Sequence, residues 1–318
     1  MIHLVERYIG GSHSTVVDMT KMPGGELHPK LGEIEGISFL IVADTTSSED
    51  LFALLVTHNA VKRNAPGYPI DLRIGYVPYA RQDRVPNEGE ALSIEAMADF
   101  INMMNFRTVE IADPHSDVTT ALIKNCVVLT QEEIIKDHLM QLDFGGRSGQ
   151  QKFKLNPTEW VLVCPDAGAI KKIDKLQKNI PFAGVVYMDK DRDTATGKIS
   201  RTFPRMFAIG GLQAPIEELK GKKLLVVDDI CDGGYTFIQI AAGLKQYEPA
   251  NLQLFVTHGI FSKGTKCLTD AGYDRIYTTN AYGLAGFNVD NWGEPVDDDS
   301  AQEIVDTNVI RFRAIQSI

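Results

Sequence analysis

Two adjacent carboxylates, Asp228 and Asp229, stand between the apolar run Leu224-Leu225-Val226-Val227 and the glycine-rich turn Asp232-Gly233-Gly234-Tyr235-Thr236. A short continuous apolar run reads as a buried parallel strand. Thr236 to Leu244 then carries apolar residues at helical spacing. The turn therefore joins a strand to a helix and directs backbone N–H groups outward at the helix N-terminus. That geometry binds phosphate, and glycine lets the backbone come close to the anion. Asp228 and Asp229 would stand at the strand's carboxyl end, within reach of sugar hydroxyls. A phosphate cradle beside two carboxylates suits a sugar phosphate. The plainer reading is an acidic turn that caps a helix, since Asp is a common cap. A cap, however, rarely needs two carboxylates and a glycine pair.

Three further segments place chemistry-bearing residues at strand ends. Tyr79-Ala80-Arg81-Gln82-Asp83-Arg84 follows the strand-like Leu72–Val77, at the strand end where open α/β sheets bind ligands. The planar fork of arginine suits a phosphate or a purine edge, although such a segment in isolation reads first as a solvated loop. Asp113-Pro114-His115 closes the strand-like Thr108–Ala112, and a lone His there is usually structural. Met188-Asp189-Lys190-Asp191-Arg192 closes Ala183–Met188 and enters the polar loop Asp193–Lys198, which on its own reads as a charged surface loop.

The elements that must position these residues alternate along the chain. Strands are predicted at Ile37–Ala43, Leu72–Val77, Thr108–Ala112 and Asn125–Leu129, with helices at Glu49–Arg63, Leu92–Met104 and Gln131–Leu142. The polar, glycine-rich Gly145–Gln151 reads as a linker. A second series follows: strands at Trp160–Cys164, Ala183–Met188, Lys223–Val227 and Leu252–Val256, and helices at Gly168–Gln177 and Thr236–Lys245. Alternation of this kind implies parallel sheets covered by helices on both faces. Two series imply two similar α/β domains, 1–146 and 147–288. A tail, 289–318, is acidic at Asp297-Asp298-Asp299 and ends in a strand-like Asn308–Phe312.

The chain has 318 residues, 44% hydrophobic and 23% charged, and a formal net charge of -10. That balance argues against nucleic acid or an anionic membrane as the main partner, so an anionic substrate needs a locally basic site. No apolar run reaches the roughly 20 residues that span a bilayer. Cys126, Cys164, Cys231 and Cys267 are scattered, which favours free thiols over a disulfide framework or a metal site. The N-terminus lacks a basic-then-apolar signal pattern. A cytoplasmic protein is the expectation.

Asp228-Asp229-x-x-Asp232-x-Gly234-x-Thr236 after an apolar strand resembles the ribose-phosphate loop of type I phosphoribosyltransferases and of ribose-phosphate pyrophosphokinases. Their loop commonly reads Asp-Thr-Gly-Gly-Thr; here Gly233 stands for the first Thr and Tyr235 for the second Gly. The segment Tyr79–Arg84 is similar to the ATP-binding segment of the pyrophosphokinases, which plain phosphoribosyltransferases lack. Gly89–Ala96 resembles the region that follows it more loosely. Asp113-Pro114-His115 is similar to that family's Asp-Leu-His, Pro165-Asp166-Ala167-Gly168-Ala169 to its Pro-Asp-x-Gly-Gly, and Lys190-x-Arg192 to its catalytic Lys-x-Arg. Met22-Pro23-Gly24-Gly25-Glu26 resembles its Phe-Ser-Asp-Gly-Glu loop, with Gly25 and Glu26 in common.

The resemblance runs from about Pro23 to Asn280 and implies a divergent ribose-phosphate pyrophosphokinase with two domains of the type I phosphoribosyltransferase kind, each a mainly parallel sheet flanked by helices. It implies the reaction of ATP with ribose 5-phosphate to give AMP and phosphoribosyl pyrophosphate. ATP would be held by Glu26, Arg81, Gln82, Asp83 and Arg84, and ribose 5-phosphate by Asp228, Asp229, Asp232, Gly233, Gly234, Tyr235 and Thr236. Mg²⁺ would be oriented by His115, Asp166 and Asp113, with Lys190 and Arg192 as catalytic cations. A homo-oligomer with shared ATP sites is also implied. The alternatives are a type I phosphoribosyltransferase and a non-catalytic regulatory paralogue of the synthetase.

Overall fold

The computed structural model describes residues 1–138, 155–192, 199–279, 282 and 309–312, with the backbone alone at 137–138, 191–192, 199–201 and 309–312. It divides into two units. Unit 1 holds Met1–Thr130 and, of the later described residues, Tyr282; unit 2 holds Gln131–Thr279 and the strand Val309–Phe312. The expected linker at 145–151, the polar loop 193–198, the end of the helix from Gln131 and most of the tail lie outside the described residues.

Unit 1 runs β1 (Ile2–Tyr8), β2 (Gly11–Val16), β3 (Asp18–Lys21), β4 (Leu27–Lys30), β5 (Ser38–Ala43), α1 (Ser48–Asn64), β6 (Ile70–Ile74), α2 (Ser93–Asn102), β7 (Val109–Ala112), α3 (Asp117–Leu122) and β8 (Cys126–Leu129). Its main sheet has the order β2-β1-β5-β6-β7-β8. β5 to β8 are parallel, and β1 lies antiparallel between β2 and β5. The sequence reading assigns no strand before Ile37. In β1 the polar His3 and Glu6 are buried along with Ile2, Leu4 and Val5, which hides the apolar signal. Glu6 is accommodated because its Oε2 accepts the Glu35 and Gly36 N–H groups at 2.9 and 3.1 Å.

β6 likewise differs from the expected Leu72–Val77, beginning earlier and stopping at Ile74. Asp71 and Arg73 look like strand breakers but are buried strand residues with charged partners. Asp71 accepts hydrogen bonds from Arg7, Arg107 and Thr108, and Arg73 donates to Glu110 at 2.9 Å. Burial would raise the Asp71 pKa; the hydrogen bonds from Arg107 and Thr108 and the charges of Arg107 and Arg7 outweigh it and hold the carboxyl below its usual range. α1 is the most predictable element. Ser47 and Asp50 form a reciprocal capping box, Glu49 and Asp50 lie in the first turn and Lys62 and Arg63 in the last.

Unit 2 runs α4 (Gln131–His138), β9 (Trp160–Cys164), α5 (Ile170–Asn179), β10 (Gly184–Arg192), β11 (Ile199–Ile209), β12 (Leu212–Ala214), β13 (Lys223–Cys231), α6 (Tyr235–Lys245), β14 (Asn251–Gly259), α7 (Lys266–Ala271), β15 (Arg275–Thr279) and β16 (Val309–Phe312). The sheet order is β12-β11-β10-β9-β13-β14-β15-β16. β10, β9, β13, β14, β15 and β16 are parallel; β11 and β12 add antiparallel strands at one edge. Leu224, Val226, Leu254 and Ile276 of the sheet and Ile240 and Leu244 of α6 are fully buried in one core. Both units are thus α/β folds with mainly parallel sheets flanked by helices.

Among the strand ends that differ from expectation, those of β13 and β10 bear on the site. β13 continues to Cys231, so Asp228 and Asp229 lie within the strand rather than in the turn after it. Its ladder with β9 ends at Val226↔Val163, whereas its ladder with β14 continues to Cys231↔Gly259. Pairing on one side extends the strand, while the side beyond the end of β9 is left open for ligands. β10 continues to Arg192 because β11 folds back on it, with Lys190↔Thr202 and Arg192↔Ile199 in register. Lys190 therefore stands on a paired strand rather than at the mouth of a loop.

Candidate active site

In unit 2, three carboxylates lie at the carboxyl ends of β9 and β13. Asp166 follows β9 and caps the short turn before α5: its Oδ1 accepts the Gly168 and Ala169 N–H groups at 3.0 and 3.3 Å. Its Oδ2 lies 2.8 Å from the Lys190 ammonium, so the carboxylate and the expected catalytic cation meet directly. Only 10% of the Lys190 side chain is exposed, which makes the pair a partly dehydrated one. Asp229 is buried, and its Oδ2 lies 3.9 Å from Lys172 of α5. Asp228 accepts the Asp229 N–H on Oδ1 at 3.0 Å, and its carbonyl accepts the Gln131 side-chain amide at 2.7 Å.

The electrostatics follow from this crowding. Burial, reinforced by the charges of Asp229 and Asp166, pushes the Asp228 carboxyl well above the usual carboxylate range. Burial also pushes the neighbouring Cys164 thiol up to about 12, with the charges of Asp166 and Asp228 adding to it. Lys190 and Lys172 leave the cluster short of positive charge around Asp228. Hard carboxylate oxygens with uncompensated negative charge fit a hydrated Mg²⁺, which takes few protein ligands and completes its shell with water and phosphate oxygens. Among the described residues, no group of three or more His, Cys, Asp and Glu could hold a metal ion by itself.

The turn expected to bind phosphate follows directly. Gly234 has φ +77°, and no side chain caps α6, which starts at Tyr235. The N–H groups of its first turn have no partner within the helix, and they carry the positive end of its dipole. A Cβ at Gly234 would also lie 3.1 Å from Leu268, so glycine is required there by conformation and by space. Tyr235 is 53% exposed at the first helical position, and Thr236 follows it, half-buried. Asp232 accepts the Ser262 hydroxyl at 2.6 Å. Lys263 adjoins Gly233, with its Cδ and Cε each 3.6 Å from where a Cβ on that glycine would stand.

The other expected residues belong to unit 1. Arg81, Gln82 and Arg84 are exposed and Asp83 half-buried in the loop after β6. That loop turns at Tyr79, whose φ is +65°, and the Gln82 N–H closes the turn on the Tyr79 carbonyl at 2.8 Å. Asp113 is buried with φ +37°, its N–H bonded to the Leu129 carbonyl at 2.8 Å, and His115 is exposed two residues on. Glu26 is exposed at the end of the β3–β4 hairpin, where the Met22 N–H bonds to its carbonyl at 2.8 Å. The backbone of Arg192 ends β10; its side chain lies outside the described residues.

Lys172, Gln131, Ser262 and Lys263 were not singled out from the sequence. Each reaches the carboxylates or the phosphate turn from an element that is distant along the chain and adjacent only through strand order. Pattern in the chain carries no signal for that.

A family model described as the phosphoribosyl transferase domain matches residues 132–299. A ribose-phosphate pyrophosphokinase of Pyrococcus furiosus is 26% identical over 270 residues, covering 84% of this chain and 86% of that one. One from Pyrococcus abyssi is 25% identical over 285 residues, covering 87% and 88%. In fold, the crystal structure of phosphoribosylpyrophosphate synthetase from Mycobacterium smegmatis matches with a TM-score of 0.67 at 17% identity, over 94% of this chain and 86% of that one. The match over 132–299 takes in the Asp228–Thr236 turn and its carboxylates, and the likeness over nearly the whole length takes in unit 1 as well. The chain belongs to the phosphoribosyl transferase domain family and stands among the ribose-phosphate pyrophosphokinases as a divergent member.

Proposed function

We propose that the chain transfers the pyrophosphoryl group of Mg-ATP to the anomeric hydroxyl of ribose 5-phosphate, giving phosphoribosyl pyrophosphate and AMP. The observation that carries this reading is the arrangement at the end of β13: Asp228 and Asp229 on an open strand edge, followed by the start of α6, which no side chain caps, with Asp166 of the same cluster paired to Lys190. The first-turn N–H groups of α6 and the Thr236 hydroxyl bind the 5-phosphate, and Asp232 shapes the turn. Asp228 and Asp229 accept hydrogen bonds from the ribose 2- and 3-hydroxyls, which fixes the sugar ring. The anomeric oxygen forms a bond to the β-phosphorus as the bond from that phosphorus to the α,β-bridging oxygen breaks. AMP departs with the bridging oxygen, and the hydroxyl proton is released.

Such a transfer depends on positioning and charge stabilisation. Lys190, together with Arg192, neutralises charge that builds on the bridging oxygen and the moving group. Arg81 and Gln82, with Asp83, Arg84 and Glu26, hold the nucleotide. Asp166, His115 and Asp113 would hold Mg²⁺, which supplies Lewis-acid neutralisation of the triphosphate when bound. The chain acts as a homo-oligomer, as the resemblance implies.

AMP release from ATP that depends on both ribose 5-phosphate and Mg²⁺ is the expected result. A type I phosphoribosyltransferase would instead consume phosphoribosyl pyrophosphate, and that reading leaves Arg81-Gln82-Asp83 without a role. A non-catalytic paralogue would release no AMP.

A further inference from the structure

We propose that Lys263 is a side-chain ligand of the sugar 5-phosphate and replaces, with a cation, the hydroxyl donor that the turn loses at Gly233. The proposal rests on the reading of the turn as the ribose-phosphate site. Lys263 lies on the tight turn after β14, and the structure holds that turn against the phosphate turn at several points. The Ile260 and Phe261 N–H groups both bond to the Cys231 carbonyl, at 2.9 and 3.1 Å. The Gly264 N–H closes the turn on the Phe261 carbonyl at 2.7 Å, with Phe261 at φ +48° and Gly264 at φ +72°. The Ser262 hydroxyl bonds to Asp232 at 2.6 Å. A non-glycine residue at positive φ is retained where the surroundings over-determine it, and here they fix the backbone from which Lys263 projects.

The stem of that lysine runs along the face of Gly233. A Cβ at Gly233 would stand 3.6 Å from Lys263 Cδ and Cε and 3.9 Å from its Cγ, which is ordinary contact. The further atoms of a threonine at 233 would extend into the same space. Glycine at 233 and lysine at 263 are thus complementary, and the ammonium lies beyond Cε, next to the turn. Lys263 is exposed and makes no hydrogen bond or ion pair among the described residues. This distinguishes it from Lys190 and Lys172, which are paired with Asp166 and Asp229. In a chain of net charge -10, an uncommitted cation beside a phosphate cradle supplies the local positive charge that a dianionic ligand needs.

The test is a comparison of wild type with Lys263→Gln, read as KM for ribose 5-phosphate and for ATP and as direct binding of ribose 5-phosphate by calorimetry, with ribose as the phosphate-free control. Loss of a charge-assisted bond should raise KM and Kd for ribose 5-phosphate about tenfold, leaving KM for ATP unchanged. The wild-type KM should also rise more steeply with salt than that of the variant. The double variant Gly233→Thr with Lys263→Ala should recover part of the loss and keep the shallow salt dependence. Unchanged ribose 5-phosphate constants in Lys263→Gln, or an effect on ATP alone, would overturn the proposal. A wild type that releases no AMP but binds ribose 5-phosphate through Lys263 would overturn the proposed reaction and leave this site standing. A wild type that does not bind ribose 5-phosphate would overturn both.

Discussion

Lys190 and Asp166 pair directly, although the family resemblance implies different tasks for them, one as catalytic cation and one as metal ligand. Their pairing has a plain electrostatic reason: the ammonium neutralises the Asp166 carboxylate, one of the charges that crowd Asp228. An ammonium already partly dehydrated and held on a paired strand needs less reorganisation to meet a phosphoryl group, which favours transition-state stabilisation. Lys190→Ala should therefore lower kcat about 100- to 1,000-fold while KM for both substrates stays within a few-fold. Steady-state kinetics on the variant checks this, and near-normal turnover would remove Lys190 from the mechanism.

At the scale of the element, the β13–turn–α6 unit was the most legible part of the chain. The apolar run, the carboxylate pair and the helical spacing are all local in sequence. In the sequence Asp228 and Asp229 look like the end of a strand, yet the ladder to β14 carries β13 on to Cys231. β10 likewise runs past Met188, because β11 supplies the partner that the charged residues 189–192 lack in isolation. The two glycines of the turn also separate only in three dimensions. Gly234 needs its positive φ and would bring a Cβ against Leu268, whereas the nearest atoms to a Cβ at Gly233 belong to the lysine stem, at ordinary distance. Gly234→Ala should cost about 1–2 kcal/mol in unfolding free energy from the left-handed conformation alone, and Gly233→Ala well under 1 kcal/mol. Tyr235→Gly should leave KM for ribose 5-phosphate nearly unchanged, since the phenol is exposed at the helix start. Denaturant melts and kinetics decide both; equal losses at the two glycines would mean that strain does not set the turn.

At the scale of the whole molecule, the alternation of strands and helices was readable because apolar runs and helical periodicity are local. The antiparallel β1 and the early start of β6 were not, because both strands bury charged and polar residues whose partners come from elsewhere in the fold. Two carboxylates with shifted pKa values make stability depend on pH in opposite senses in the two units. Asp71 in unit 1 has a depressed pKa, so it adds stability above the usual aspartate value of about 3.9, and that stability is lost as pH falls through its lower native value. Asp228 in unit 2 has a raised pKa. Between about 3.9 and its native value the folded state holds more protons than the unfolded one, so stability falls as pH rises through that window. The ligand-free protein should therefore be most stable on the acid side of neutrality. Asp228→Asn should raise Tm above wild type at neutral pH while impairing ribose 5-phosphate binding, and the difference in Tm should vanish near pH ~4. Asp71→Asn should lower stability at neutral pH by about 2 kcal/mol, less than the roughly 3–5 of a fully buried pair because Arg107 is 49% exposed. That loss should shrink as the acid range is entered. Thermal melts of the three proteins across pH measure all of this. A lower Tm for Asp228→Asn at neutral pH would mean that its carboxylate is held by favourable contacts, and the crowding of charge proposed to draw in a cation would be wrong.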